Sequence, residues 1–169
     1  MTRTQMHLAE SVTCYLGVGS NIERCISIQL AVERLQRIDP ELRISPIYES
    51  DSVGFTGHSF YNLVIELKTT LSLMQLRHHL RSLELELGRP QQAKKNQNRY
   101  IDIDILLYGN DVSIDPPLPR EDIRRFAFVI QPLYDLCPSL IIPGSHQTVA
   151  EIHQSFIPIR GLTTIPKWF

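Results

Sequence analysis

Two aspartates separated by one residue are the feature of this sequence with the clearest chemistry. Asp102 and Asp104 belong to an apolar segment, Ile101 to Tyr108, whose length and composition predict a β-strand. Because side chains alternate along a strand, both carboxylates point to the same face of the sheet. A divalent cation relieves their mutual repulsion, and hard oxygen ligands that leave room for phosphate favour Mg²⁺. Taken alone, the pair fits an ordinary strand with a solvated polar face equally well.

A cluster of basic residues directly precedes the aspartates. Residues 89 to 99 have almost no apolar content and include Arg89, Lys94, Lys95 and Arg99. A solvated surface loop is the ordinary interpretation of such a run. Beside a magnesium-binding pair, however, cations that neutralise a polyphosphate complete the parts of a phosphoryl-transfer site. We therefore predict a mobile loop that folds over phosphate groups.

Two other segments have residue types that suit a ligand. Gly17 to Asn21 joins a predicted strand to a predicted helix, where glycine loops can bind phosphate, but the absence of a P-loop lysine favours a tight turn. Phe60 and Asn62 open a strand, and Phe128 lies in a later apolar run. Rings on an open sheet face can hold a flat heterocycle, although core packing is the commoner role of a phenylalanine.

The elements that must position these residues follow the order strand, helix, strand, strand, helix, strand. The predicted strands are Val12–Val18, Leu42–Glu49, Phe60–Thr69 and Ile101–Tyr108, and the predicted helices are Ile22–Ile38 and Ser72–Leu87. This order predicts an α+β, ferredoxin-like fold, in which helices cover one face of an antiparallel sheet. The other face is then free for loops and a ligand. We expect one domain over residues 1–169, with a core at about 12–160 and a C-terminal extension.

Composition narrows the possible partners. The chain has 169 residues and a net charge of -1, so it has no overall attraction to nucleic acid or to an anionic membrane. Its three cysteines lack metal-binding spacing and predict reduced thiols in a cytoplasmic protein. No segment has the length of a membrane span, and the first eleven residues lack the apolar region of a signal peptide. We expect a monomer with small-molecule substrates.

The combination of motifs resembles the 6-hydroxymethyl-7,8-dihydropterin pyrophosphokinase family. The resemblance covers about residues 13 to 160 and depends on Gly19-Ser20-Asn21, Gly88-Arg89, Arg99 followed by Asp102-Ile103-Asp104, Pro132-Leu133 and Pro138-Ser139-Leu140. It implies an enzyme that binds ATP and two Mg²⁺ ions, transfers pyrophosphate to a hydroxymethyl-pterin and releases AMP.

The resemblance also implies roles for individual residues. Asp102 and Asp104 match magnesium ligands, and Arg89 and Arg99 match phosphate-contacting arginines. On the ATP side we expect Glu84, Lys94, Lys95 and Arg120, and on the pterin side we expect Phe60, Asn62 and Phe128.

Several loop positions depart from the family pattern. Asn96 stands where a tryptophan often closes over the pterin, Arg120 where a histidine touches phosphate, and Phe126 where an arginine often follows. Gln91 replaces another loop arginine, and the first substrate loop reads Ser50-Asp51-Ser52-Val53-Gly54. Two alternatives therefore stay open at this point. One is a paralogue that acts on a different pterin, and the other is a catalytically weak binding module with a ferredoxin-like fold.

Overall fold

The computed structural model describes residues 9–89, 91–92 and 94–169. Within these ranges the strands are β1 (Val12–Ser20), β2 (Arg43–Ile44), β3 (Ile47–Ser50), β4 (Phe60–Thr69), β5 (Asp102–Tyr108) and β6 (Thr163–Ile165). The helices are α1 (Arg24–Leu35), α2 (Leu73–Glu86), α3 (Asp122–Arg125), α4 (Ala127–Leu136) and α5 (Val149–Gln154). The predicted strand at 42–49 is divided between β2 and β3 at Pro46, which has no backbone N–H to donate.

The strands form one antiparallel sheet in the order β5-β1-β4-β3-β6, and β2 also pairs with β4. Strand β1 lies between the two strands that contain the predicted site residues. In this register Gly19 is opposite both Asn62 on β4 and Asp102 on β5. Gly17 is likewise opposite Asp104. The topology therefore brings the first and last predicted motifs to adjacent positions of the sheet.

Helices α1 and α2 cover one face of the sheet, as the alternation of apolar residues predicted. Ile101 and Ile103 of the aspartate segment are buried in this core, so Asp102 between them and Asp104 after them point to the opposite face. Helix α2 begins with a capping box in which Ser72 and Gln75 bond each other's backbone N–H groups. The buried side chains that the helices contribute include Ile28, Ala31, Leu35, Leu76, Leu80 and Leu83.

The helices that follow β5 form a second helical layer on the other face. Helices α4 and α5 pack Ile130, Leu133 and Val149 against Tyr15, Val64 and Leu106 of the sheet. The α+β fold with an antiparallel sheet is confirmed, but the expectation that this face stays free is correct for only part of it. Helices lie on both faces, and the region beyond the edge of α4 remains open. No helix in the described residues is long and apolar enough to cross a membrane.

Candidate active site

The uncovered part of the sheet forms the floor of a cavity of about 250 Å³. Gly17 and Gly19 of β1 lie in this floor, and because they have no side chains the space above them stays open. A Cβ atom on Gly19 would lie 3.3 Å from Asn62 Oδ1, and one on Gly17 would lie 3.3 Å from Leu106. The walls come from β4, β5, the loop after β3, the basic loop and the start of α4. The lining residues include Asp51, Phe55, Phe60, Asn62, Asn96, Arg99, Asp102, Asp104, Arg120, Asp122, Phe126 and Phe128.

The two aspartates share the cavity but have different partners. Asp102 Oδ1 lies 3.0 Å from Arg89 Nη1 and 2.8 Å from Arg99 Nη1, so it is held by two arginines. Asp104 has one weaker contact, 3.5 Å from its Oδ1 to Arg120 Nη2. Arg120 in turn donates to Asp122 through Nε at 3.1 Å. Both carboxylates therefore have protein partners, and Asp104 is the less neutralised of the two.

The electrostatics of Asp104 suit a bound cation. Burial and, next, the Asp102 carboxylate raise the pKa of Asp104, Arg120 opposes the rise, and together they bring the pKa to about 7. A divalent cation between the carboxylates would favour the ionised form and remove this conflict. No cluster of three or more His, Cys, Asp or Glu side chains suited to a metal occurs in the part of the chain that the structure describes. The two aspartates therefore fit a Mg²⁺ ion whose remaining ligands are phosphate and water oxygens.

Glu84 lies behind the site rather than in it. This α2 residue is 4% exposed, and its carboxylate accepts from the backbone N–H of Ile103 at 2.8 Å and from Arg89 at 2.9 Å. Burial raises the pKa of Glu84, while the Ile103 N–H and the Arg89 charge oppose the rise. Glu84 thus fixes both strand β5 and the guanidinium that holds Asp102. Its position does not favour the direct ATP contact expected from the sequence.

The turn after β1 holds the basic loop in place through Asn21. The backbone N–H groups of Asn21 and Ile22 both donate to the Arg99 carbonyl, at 3.0 and 3.2 Å. The Asn21 side chain accepts from the Arg99 N–H at 2.6 Å and donates to Asn98 Oδ1 at 2.7 Å and to the His58 carbonyl at 3.1 Å. Because these N–H groups are occupied, the turn interpretation is favoured over the phosphate loop. The motif orients Arg99 towards Asp102.

Aromatic rings line another part of the cavity, which we call its aromatic end. Phe60 meets Phe55 edge-on with centroids 6.4 Å apart, and Phe126 stacks on Phe128 at 4.9 Å. Asn62 between them donates from Nδ2 to Ser50 Oγ at 2.8 Å, which fixes the orientation of its amide. The other amide atom, Oδ1, is then available to a ligand. This end suits a flat, polar-edged heterocycle.

The basic loop contributes unequally to the cavity. Asn96 and Gln97 line it, whereas Lys94 and Lys95 are exposed and lie outside its lining. Arg99 donates to the Lys94 carbonyl at 3.3 Å, which ties the two parts of the loop together. Residues 90 and 93 of this predicted loop lie outside the described residues.

Seven of the predicted site residues meet in one cavity. They are Phe60, Asn62, Arg99, Asp102, Asp104, Arg120 and Phe128. Arg89 stands just behind Asp102. Three features were not predicted from the sequence: Phe55 in the lining, Phe126 as a ring partner, and the structural role of Asn21. The Gly19-Ser20-Asn21 motif was a signal for Asn21, but nothing local indicated that its side chain bonds residues far along the chain.

The sequence is similar to one family of known proteins. The family described as 7,8-dihydro-6-hydroxymethylpterin-pyrophosphokinase (HPPK) matches residues 15–138. A Pseudomonas aeruginosa protein named 2-amino-4-hydroxy-6-hydroxymethyldihydropteridine pyrophosphokinase is 38% identical over 160 residues, which is 90% of this chain and 96% of that protein. A protein of the same name from Aquifex aeolicus is 36% identical over 135 residues, covering 78% and 84% of the two chains.

Solved structures share the fold. The crystal structure of Plasmodium falciparum HPPK-DHPS A437G superposes with a TM-score of 0.71 at 12% identity, over 94% of this chain. This chain spans about half, 50%, of that longer protein. The wild-type HPPK-DHPS structure gives a TM-score of 0.67 over 90% of this chain. At this low identity the likeness concerns the fold alone.

Proposed function

Because the chain belongs to the 7,8-dihydro-6-hydroxymethylpterin-pyrophosphokinase family, we propose that it transfers pyrophosphate from ATP to 6-hydroxymethyl-7,8-dihydropterin and releases AMP. This reaction is a step of folate synthesis. The observation that carries the proposal is a single cavity with a charged end and an aromatic end. Asp102 and Asp104 lie beside arginines at one end, and Phe60 and Phe128 lie at the other. A polyphosphate and a flat ring system need these two environments side by side.

The aromatic end supports the placement of the pterin. Phe60 and Phe128 offer ring faces to the heterocycle, and each stacking contact contributes about 1 kcal/mol. Asn62 supplies an oriented amide for the polar edge of the ring, because Ser50 fixes its Nδ2. A buried polar group that is already oriented gives specificity as well as affinity. The hydroxymethyl group would then point along the sheet towards Asp102.

The charged end supports the placement of ATP. The hydroxymethyl oxygen attacks the β-phosphorus, the bond from that phosphorus to the oxygen bridging it to the α-phosphorus breaks, and AMP leaves with that bridging oxygen. The hydroxyl proton is released to solvent. Arg99 and Arg120 neutralise charge on the transferred group, and the reaction needs little else beyond positioning. Mg²⁺ held by Asp102 and Asp104 supplies further neutralisation when it is bound.

Residues outside the lining support the site in two ways. Glu84 acts through Arg89, because its carboxylate holds that guanidinium against Asp102. We place Lys94 and Lys95 on the ATP side, as exposed cations of the basic loop that can approach the phosphates when it folds over them.

We further propose a single-domain monomer in the cytoplasm that uses two Mg²⁺ ions. The cavity is complete within one chain, which supports the monomer. Cys14, Cys25 and Cys137 are free thiols, which supports a reducing compartment. The phosphates of ATP carry a high negative charge that one ion held by Asp102 and Asp104 does not neutralise. This charge supports a second Mg²⁺ ion bound mainly by ATP.

The proposal is tested by product analysis. Purified protein is mixed with ATP, Mg²⁺ and 6-hydroxymethyl-7,8-dihydropterin, and the nucleotide products are separated by chromatography. We expect AMP in equal amount to the pyrophosphorylated pterin, and no AMP when the pterin or Mg²⁺ is omitted. ADP as the only product would contradict pyrophosphoryl transfer. If the protein turned over only a differently substituted pterin, the proposed substrate would be wrong but the proposed reaction would stand.

A further inference from the structure

Arg24, the first residue of α1, makes an unusual set of contacts beneath the aromatic end of the cavity. Its Nη1 donates to Glu49 Oε2 at 2.9 Å, to Ser59 Oγ at 2.8 Å and to the Ser59 carbonyl at 3.1 Å. Its guanidinium also lies over the Tyr61 ring, 3.8 Å from the centroid. One side chain thus joins α1 to β3 and to the residues on both sides of Phe60.

The C-terminal segment completes this arrangement. Strand β6 pairs with β3, with Thr163 opposite Glu49. The chain then returns so that Trp168 packs on Tyr61 with ring centroids 5.9 Å apart. We call Arg24, Glu49, Ser59, Tyr61 and Trp168 the Arg24 clamp.

The clamp lies on the face of the sheet opposite the ligand. Tyr61 contacts the apolar core under α1 and α2, whereas its neighbours Phe60 and Asn62 line the cavity. Because side chains alternate along β4, any shift of Ser59 or Tyr61 moves Phe60 and Asn62 by a similar amount. The clamp therefore controls where Phe60 and Asn62 lie in the cavity.

We propose that Arg24 is a positioning residue for the pterin, acting through Ser59 and Tyr61 on Phe60 and Asn62. The inference builds on the proposed function and adds residues that touch neither substrate. The ion pair itself is a poor source of stability, because the Arg24 and Glu49 side chains are 29% and 35% exposed. The Nη1 contacts to Glu49 and Ser59, which share its two N–H groups, and the ring contact fix geometry instead. Within the described residues, Arg24 makes no hydrogen bond or ion pair to the aspartates or arginines of the charged end.

The test separates the two substrates. Arg24→Ala is expected to raise the KM for the pterin by about fivefold to tenfold, the factor expected for one lost aromatic contact, and to leave the KM for ATP within about twofold. Arg24→Lys keeps the charge and one bond, and is expected to recover part of the loss. The matched control is Arg34→Ala. Arg34 lies near the other end of α1 and forms an ion pair with Glu86 of α2. That control is expected to leave both KM values unchanged.

Other results would overturn the inference. An unchanged pterin KM in Arg24→Ala, or an equal rise in both KM values, would show that Arg24 does not position the pterin side. If Arg24→Ala does not fold, Trp168→Leu loosens the same Tyr61 contact and must show the same split between substrates. If the wild-type protein makes no AMP, the proposed function fails. The variants are then compared by calorimetric Kd for the pterin, where the same ratio is expected, and a wild type that binds no pterin refutes the inference.

Discussion

Replacing Asp104 with asparagine is expected to stabilise the metal-free protein above neutral pH. Burial and the neighbouring Asp102 carboxylate raise the pKa of Asp104 from 3.8 to about 7 in the folded protein. The unfolded chain keeps the ordinary pKa, so the folded protein binds the extra proton between about pH 4 and pH 7. Stability therefore falls as the pH rises through this window. Asparagine has no proton to lose and avoids that fall.

The structure sets the size of the effect. A pKa raised from 3.8 to about 7 corresponds to about 4 kcal/mol of unfavourable ionisation. One third of the Asp104 side chain, 33%, is exposed, and water screens part of the repulsion. We therefore expect a gain of about 1–2 kcal/mol for Asp104→Asn at pH 8. For a chain of this length, that gain raises the melting temperature by about 3–6 °C.

Thermal melts in EDTA at pH 5 and pH 8 measure the effect. At pH 5 the Asp104 carboxyl is still protonated when folded and only about one third of the fall has occurred, so the gain in melting temperature should be clearly smaller than at pH 8. Asp102→Asn is the matched control, and it should lower the melting temperature, because it weakens charged hydrogen bonds from Arg89 and Arg99. A lower melting temperature for Asp104→Asn at pH 8, or an equal gain at both pH values, would refute the reasoning.

Three further predictions concern the loops. Asn96→Trp should change the pterin KM by less than about threefold. Asn96 has a left-handed backbone (φ 53°), which costs a bulky residue about 1 kcal/mol, and a ring stacked on the pterin contributes about the same. A tenfold lower KM would contradict this balance. Asn21→Ala should lower both kcat and the melting temperature, because the side chain holds Arg99, Asn98 and His58; an unchanged kcat would exclude its role in orienting Arg99. Amide exchange in residues 94–99 should slow when Mg²⁺ and ATP are added, because phosphate removes the repulsion between the loop cations; equal exchange with and without ligand would argue against a closing loop.

The local features of this fold were predictable because they depend on short-range patterns. The alternation around Ile101, Asp102, Ile103 and Asp104 settles which side chains face the core, and the structure confirms it. The same alternation cannot distinguish the two aspartates. Asp102 attracts arginines from both ends of the preceding loop, whereas Asp104 meets Arg120 from a later segment. We therefore expect opposite stability effects when each aspartate is replaced by asparagine.

Long-range contacts account for the features that could not be predicted from the sequence. Asn21 reads as a turn residue, yet its side chain bonds residues 37, 77 and 78 positions away. Helix α4 includes Pro132, which indicates a break when it is read locally. Burial of the apolar residues of α4 on the sheet outweighs that local preference. Both features depend on tertiary packing.

Label transfer tests pyrophosphoryl transfer most directly. ATP labelled with ³²P at the β position is incubated with Mg²⁺ and 6-hydroxymethyl-7,8-dihydropterin, and the labelled products are separated. We expect the β label in the pterin product, while an α label stays in AMP. We also expect Asp104→Asn, although folded, to transfer the label about 10²–10³-fold more slowly. A β label that remains in ADP, or equal rates in the wild type and the variant, would contradict the central claim.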